Sequence, residues 1–208
     1  MQYPNEMNQN QNSMPQSEYM PAPMSHGGHE LFDAHEILGS MVGCIDNYTL
    51  YEGYAQDNEL RQMIQAQSQF LNQMYNTAVE SLKTGQKPSE PTQVYNMDES
   101  NNVTFGLKPG APKKPIQSTS ELTEDHISSF MLGQMKGLSS LMAMAAGEIT
   151  NPVLRRVIAD SIPNTIEMSY EIFLYRNDRG YYQVPQLTQQ DMQTMINSFA
   201  PSSQQPMN

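Results

Sequence analysis

Apolar residues return at intervals of three and four along two long stretches of the chain, and outside those stretches the rhythm stops. In the first stretch Leu31, Ala34, Leu38, Met41, Ile45 and Tyr48 fall on one side of a 3.6-residue period and predict a helix from about residue 29 to 56. A second helix is expected from about Asn58 to Lys83, with the stripe Leu60, Ile64, Phe70 or Leu71, Met74 and Ala78. Asn58 serves there as N-cap, and Glu59 favours the positive end of the helix dipole. In the second stretch Thr123 caps a helix running to about Gly147, with Glu124 and Asp125 in its first turn and Leu122 and Ile127 at the two positions of a hydrophobic staple. Its stripe is Ile127, Phe130 or Met131, Leu138, Leu141 or Met142, and Ala145. Asn151 caps a fourth helix whose first position is Pro152, where a missing N–H costs little. That helix continues through Leu154, Ile158, Ile162, Met168 and Ile172; Pro163 should kink it and Gly180 should stop it.

Where the rhythm fails, the composition changes. Residues 1–28 are rich in Gln, Asn, Met, Pro and Ser and are expected to form a flexible arm; residues 29–180 form the helical body, and 181–208 a tail with a short helix around Asp191 to Phe199. Between the helix pairs, residues 85–121 contain five prolines, too many for either pair to continue through. The two halves look alike, with Glu52 or Glu148 near the end of a long helix and then NELRQMI or NPVLRRVI opening the next. Two helical hairpins joined by one long crossover predict an all-α, four-helix bundle of the ferritin-like kind.

Charge and cysteine usage narrow the function. Eleven Lys plus Arg stand against 22 Asp plus Glu, a net charge of -11 that repels phosphate backbones and anionic lipid, so no nucleic-acid or membrane partner is expected. The opening MQYPNEMNQN lacks a basic segment followed by an apolar one, and the chain is expected to be made without a secretion signal. Cys44, the single cysteine, is expected as a small core residue.

A ferritin-like di-metal centre needs a carboxylate from each of two helices and Glu-x-x-His from each of the other two. Glu52 and Glu148 could be the single carboxylates. The paired motifs are missing: the second helix offers Gln67, Gln73 and Asn76, the fourth offers Glu167-Met-Ser-Tyr170, and no Glu-x-x-His occurs. No catalytic residue, cofactor or resident metal is therefore expected, and the protein is read as a non-enzyme. Glu52, Glu148, Glu167 and Tyr170 remain as vestigial metal candidates, and the alternative reading is a di-iron or di-manganese-like oxidoreductase with a degenerate site. The stretch HGGHELFDAHE places His29, Asp33 and Glu36 on one helix face, with His35 elsewhere and His26 in the arm; helix capping and solvation explain it better than a metal-buffering group at His26, His29 and Asp33. His126 is expected at the surface. No Gly-rich phosphate loop, G-x-S-x-G elbow or Cys-x-x-Cys is present.

The segment LTEDHISSFMLGQMKGLSSLMAMAAGEITNPVLRRVI, followed by RNDRGYYQVP, is similar to the spore coat protein F family of endospore-forming bacteria. The features that carry the likeness are the LTEDHI helix start, Lys136 in mid-helix, Ala-Ala-Gly-Glu148, the Asn-Pro-x-Leu-Arg restart and Gly-Tyr-Tyr before proline. The resemblance covers about residues 120–185 well and the first hairpin in outline. It implies a ferritin-like bundle deposited in the spore coat, without an established active site, with other coat proteins as partners and self-association left open. The long Gln/Asn/Met arm departs from the family pattern.

Overall fold

The computed structural model describes residues 26–97 and 100–202. The chain folds as α1 (Gly28–Tyr54), α2 (Asn58–Thr84), a single 3-10 turn (Thr119–Glu121), α3 (Glu124–Ala146), α4 (Pro152–Asp178) and a short α5 (Gln189–Ile196).

The helix ends follow from local chemistry. Asp57, not Asn58, caps α2: its Oδ1 accepts from the Glu59 amide at 2.9 Å, and Asn58 is the first helical residue. Either side chain could have taken the role, and the extended backbone at Asp57 decides it. Gly85 ends α2 in the left-handed region at φ 63°, where a side chain would be strained. Asn151 caps α4 as expected, its Oδ1 accepting from Val153 and Leu154 at 3.0 Å each, ahead of Pro152. Pro163 does not interrupt α4, which is continuous from Pro152 to Asp178 with the proline exposed on its outer side. α3 stops at Ala146, so Glu148 lies in the turn beyond it.

The helices pack as hairpins α1–α2 and α3–α4, with α1 also against α3 and α2 against α4. Contacts at the two ends fix the directions. Glu30 at the start of α1 meets Thr150 and Asn151 just past α3, while the amides of Gln56 and Asp57, just past α1, donate to Glu124 at the start of α3. Every packed pair is therefore antiparallel, and the connection from α2 to α3 runs the length of the bundle. At about 1.5 Å per residue, a helix of 27 residues spans about 40 Å.

The core is a single cluster in which Ile37, Met41, Leu60, Ile64, Leu71, Met131, Met135, Met142 and Leu154 are buried from all four long helices. Each such side chain contributes on the order of 1.5–3 kcal/mol by leaving water. Met at many of these sites fills irregular space between helices.

The long connection is strapped onto α4. Asn164 accepts from the Tyr95 amide at 2.9 Å and donates to the Gln93 carbonyl at 2.9 Å. Farther along, Asn177 accepts from the Thr104 amide and donates to the carbonyls of Thr104 and Tyr182. Phe105 makes an isolated parallel bridge with Val184, so the start of the tail is held too. α5 is capped by Thr188 and buries none of its residues.

Candidate functional site

A line of polar side chains crosses the apolar core, and it is assembled from four different segments. Tyr48 on α1 donates to Gln67 Oε1 on α2 at 2.7 Å. Gln67 Nε2 donates onward to Glu171 Oε2 on α4 at 2.7 Å and to the Met168 carbonyl at 3.2 Å. Tyr95, from the strap, donates to the same Glu171 oxygen. All four side chains are buried. Each occupies a regular place in a buried helix stripe or strap position, so the fold delivers them there with no local irregularity. Burial pushes the Tyr48 hydroxyl well above its ordinary range, with smaller upward contributions from Cys44, Tyr95, Tyr51 and Glu171. Cys44 next to it is pushed up to about 11 by burial, which keeps it a thiol.

Donors and acceptors match along this line, and the amide of Gln67 points its N–H bonds at the carboxylate. A cation held by Glu171 would face those N–H bonds, so the arrangement suits a polar core joint, not a metal centre. Among the described residues no group of three or more His, Cys, Asp or Glu stands close enough to hold a metal ion.

The sequence candidates lie elsewhere. Glu52 is near the end of α1 and accepts from Gln65 Nε2 at 2.6 Å at the surface. Glu148 is exposed in the turn after α3. Comparable positions in two antiparallel helices are at opposite ends of the bundle, so the likeness between the halves separates these two carboxylates by most of a helix length. Glu167 and Tyr170 are half-buried on α4, with the Tyr170 ring stacked on Phe173 at 5.7 Å. The structure thus does not bring Glu52, Glu148, Glu167 and Tyr170 together. Of the HGGHELFDAHE group, His29 sits 3.3 Å from Asp33 on the surface, whereas His26 packs into the bundle instead of remaining in the arm. His126 acts as a cap partner, its Nδ1 accepting from the Thr123 amide at 3.3 Å.

Charged clusters lock both ends. At one end Arg176, almost wholly buried, donates to Asp125 Oδ1 at 2.8 Å and to Ser128 Oγ at 2.8 Å, and Lys113 from the connection adds a second cation at 2.8 Å from Asp125. Beside it Arg179 reaches Asp57 at 2.9 Å and Glu59 at 2.7 Å and lies 3.8 Å over the Tyr175 ring, whose hydroxyl donates to Asp57. Burial raises the Asp57 carboxyl, but the Glu59 amide, Tyr175 and Arg179 outweigh it and hold it below the usual range. For Asp125, burial is likewise outweighed, by Lys113 and Arg176. At the opposite end Glu30 accepts from Thr150 N at 3.0 Å, Asn151 N at 3.2 Å, the Thr150 hydroxyl and Gly27 N at 3.4 Å, and faces His26. Burial pushes its carboxyl up; the hydrogen bonds from Thr150, His26, Asn151 and Gly27 bring it below the ordinary value.

Glu30, Glu171 and Tyr95 were not singled out in the sequence. Glu171 sits between Met168 and Ile172 on the apolar stripe, and that position is the signal that marks it as buried. Nothing local marks Tyr95, which reaches the core only because the strap crosses α4.

Residues 123–185 match the Coat F domain. Over 179 residues the chain is 44% identical to the "spore coat protein F-like protein YhcQ" of Bacillus subtilis (strain 168), an alignment covering 86% of this chain and 82% of that protein. No solved structure matches the chain significantly. No described helix is long and apolar enough to cross a membrane.

Proposed function

Because the chain belongs to the spore coat protein F family, we propose that it is a structural component of the bacterial spore coat and assembles there with other coat proteins. The observation that carries the reading is the reach of the kinship, which extends through both helical hairpins and well beyond the Coat F segment. The bundle's chemistry agrees: Tyr48, Gln67, Tyr95 and Glu171 bond one another across segments in the core, as in a body built for rigidity, and in this reading its role is structural and not enzymatic.

In this reading the four-helix body, ferritin-like in connectivity, is the rigid unit, and the Gln-, Met- and Tyr-bearing segments at 1–28 and 181–208 supply contacts to neighbouring coat proteins, with self-association a further route to assembly. The test is fractionation of purified spores into coat extract, core and vegetative cytosol, with the protein followed by mass spectrometry. Enrichment in the coat extract is expected; presence only in growing cells overturns the reading. A chain lacking residues 1–25 should incorporate poorly into the coat, and unchanged incorporation would remove the N-terminal contact from the mechanism.

A further inference from the structure

His26 is the first described residue, just ahead of α1, and both of its ring nitrogens face acceptors. Nδ1 lies 2.7 Å from Glu30 Oε1, and Nε2 lies 2.7 Å from the Leu82 carbonyl near the end of α2. The pair is enclosed, with the His26 side chain 7% and the Glu30 side chain 0% exposed. A neutral imidazole offers one N–H and one lone pair. The Leu82 carbonyl can only accept, so Nε2 must carry a hydrogen, and the short Nδ1–Oε1 contact then requires a second proton between the histidine and the carboxylate. The other carboxylate oxygen accepts from Thr150 and Asn151, which favours the ionised carboxylate and places that proton on Nδ1.

Removal of this proton would set the Nδ1 lone pair against a carboxylate oxygen 2.7 Å away, too close for a water to fit between them. Three helix ends depend on the pair: Glu30 holds the α3–α4 turn through Thr150 and Asn151, Asn151 holds the Gly85 carbonyl at 3.2 Å, and His26 holds Leu82. The charged groups of the surrounding segments are Asp33 on α1, Glu80 and Lys83 near the end of α2, Lys87 beyond Gly85, Glu148 in the α3–α4 turn, and Arg155 and Arg156 at the start of α4. Of these, Asp33 is engaged with His29, and among the described residues Lys83 and Glu148 make no ion pair with either member. We propose that the His26–Glu30 pair is a proton-dependent clasp that ties the entry of α1 to the end of α2 and the α3–α4 turn and opens when His26 loses its proton.

The clasp is tested on the uniformly 15N-labelled full-length protein, by NMR of the histidine rings and backbone amides across about pH 5 to 8, the range in which histidine changes charge. The Thr150 and Asn151 amide signals, which report the Glu30 contacts, are expected to shift in step with the His26 ring signals across that range. His26→Gln should abolish that amide shift, and Glu30→Gln, which keeps the side-chain shape but removes the charge facing Nδ1, should uncouple the amides from the His26 ring. A His26 ring that changes charge while the Thr150 and Asn151 amides stay still overturns the clasp. So does an amide shift that persists in both variants, and His29→Gln, which should leave the shift intact, controls for general changes with pH.

Discussion

Replacing Glu171 by alanine tests whether the polar line through the core is a structural joint. The substitution removes the acceptor shared by Gln67 Nε2 and Tyr95. Gln67 Nε2 retains the Met168 carbonyl at 3.2 Å, so the orphaned donor is chiefly the buried Tyr95 hydroxyl. An unsatisfied buried donor costs about 1–3 kcal/mol, and the vacated space adds the loss of one packed methylene, about 0.8 kcal/mol. The sum is about 2–4 kcal/mol, which for a chain of this size lowers the melting temperature by roughly 4–16 °C. Urea denaturation followed by circular dichroism measures it directly. Glu171→Gln, which keeps the volume and a carbonyl acceptor, should cost less than half as much. Pairing Glu171→Ala with Tyr95→Phe should give a total well below the sum of the two, since each removes the same hydrogen bond. A loss under about 1 kcal/mol for Glu171→Ala, or additivity of the pair, refutes the account of the joint.

The end clusters predict acid sensitivity. Asp57, Asp125 and Glu30 all have carboxyls held below their ordinary values, so their stabilisation is present above the unfolded range of about 4 and is lost as pH falls through the folded values; urea midpoints should drop steeply below about pH 4, and Asp125→Asn should flatten part of that slope. Gly180→Ala meets no atom within 4 Å but forces a side chain into φ 71°, so a cost of about 1 kcal/mol from the backbone alone is expected in the same assay. Asn151→Ala removes the α4 cap and the tie to Gly85, and should cost about 1–2 kcal/mol. Cys44 should resist thiol reagents in the folded protein and react fully once unfolded, because burial keeps it protonated and covered; fast labelling of native protein would contradict its placement.

The four long helices were legible because their periodic stripes, caps and breakers agree: Asn151-Pro152 and Gly180 sit where the chain says they should. Boundaries went astray where two residues could do one job, as with Asp57 and Asn58. The polar interior was hidden for a different reason. Gln67 and Glu171 are 104 positions apart, and only the antiparallel packing of α2 on α4 makes them neighbours. The same packing undid the pairing of Glu52 with Glu148, since likeness of position along two helices says nothing about nearness when the helices run in opposite senses. His26 read as part of an arm because its composition is that of the arm; its partners come from α1 and α2 together.

The strapped connection also decides where the chain enters and leaves the body. It returns the polypeptide to the Asp57 end before α3 begins, so α4 finishes there, while the chain enters at His26 beside Thr150. Entry and exit are thus at opposite poles, about one helix length of 40 Å apart. Links made through the two terminal segments would load the bundle along its axis, pulling on helices lengthwise instead of peeling them apart sideways. Held directly at both poles, such a body would act as a strut about one helix length long.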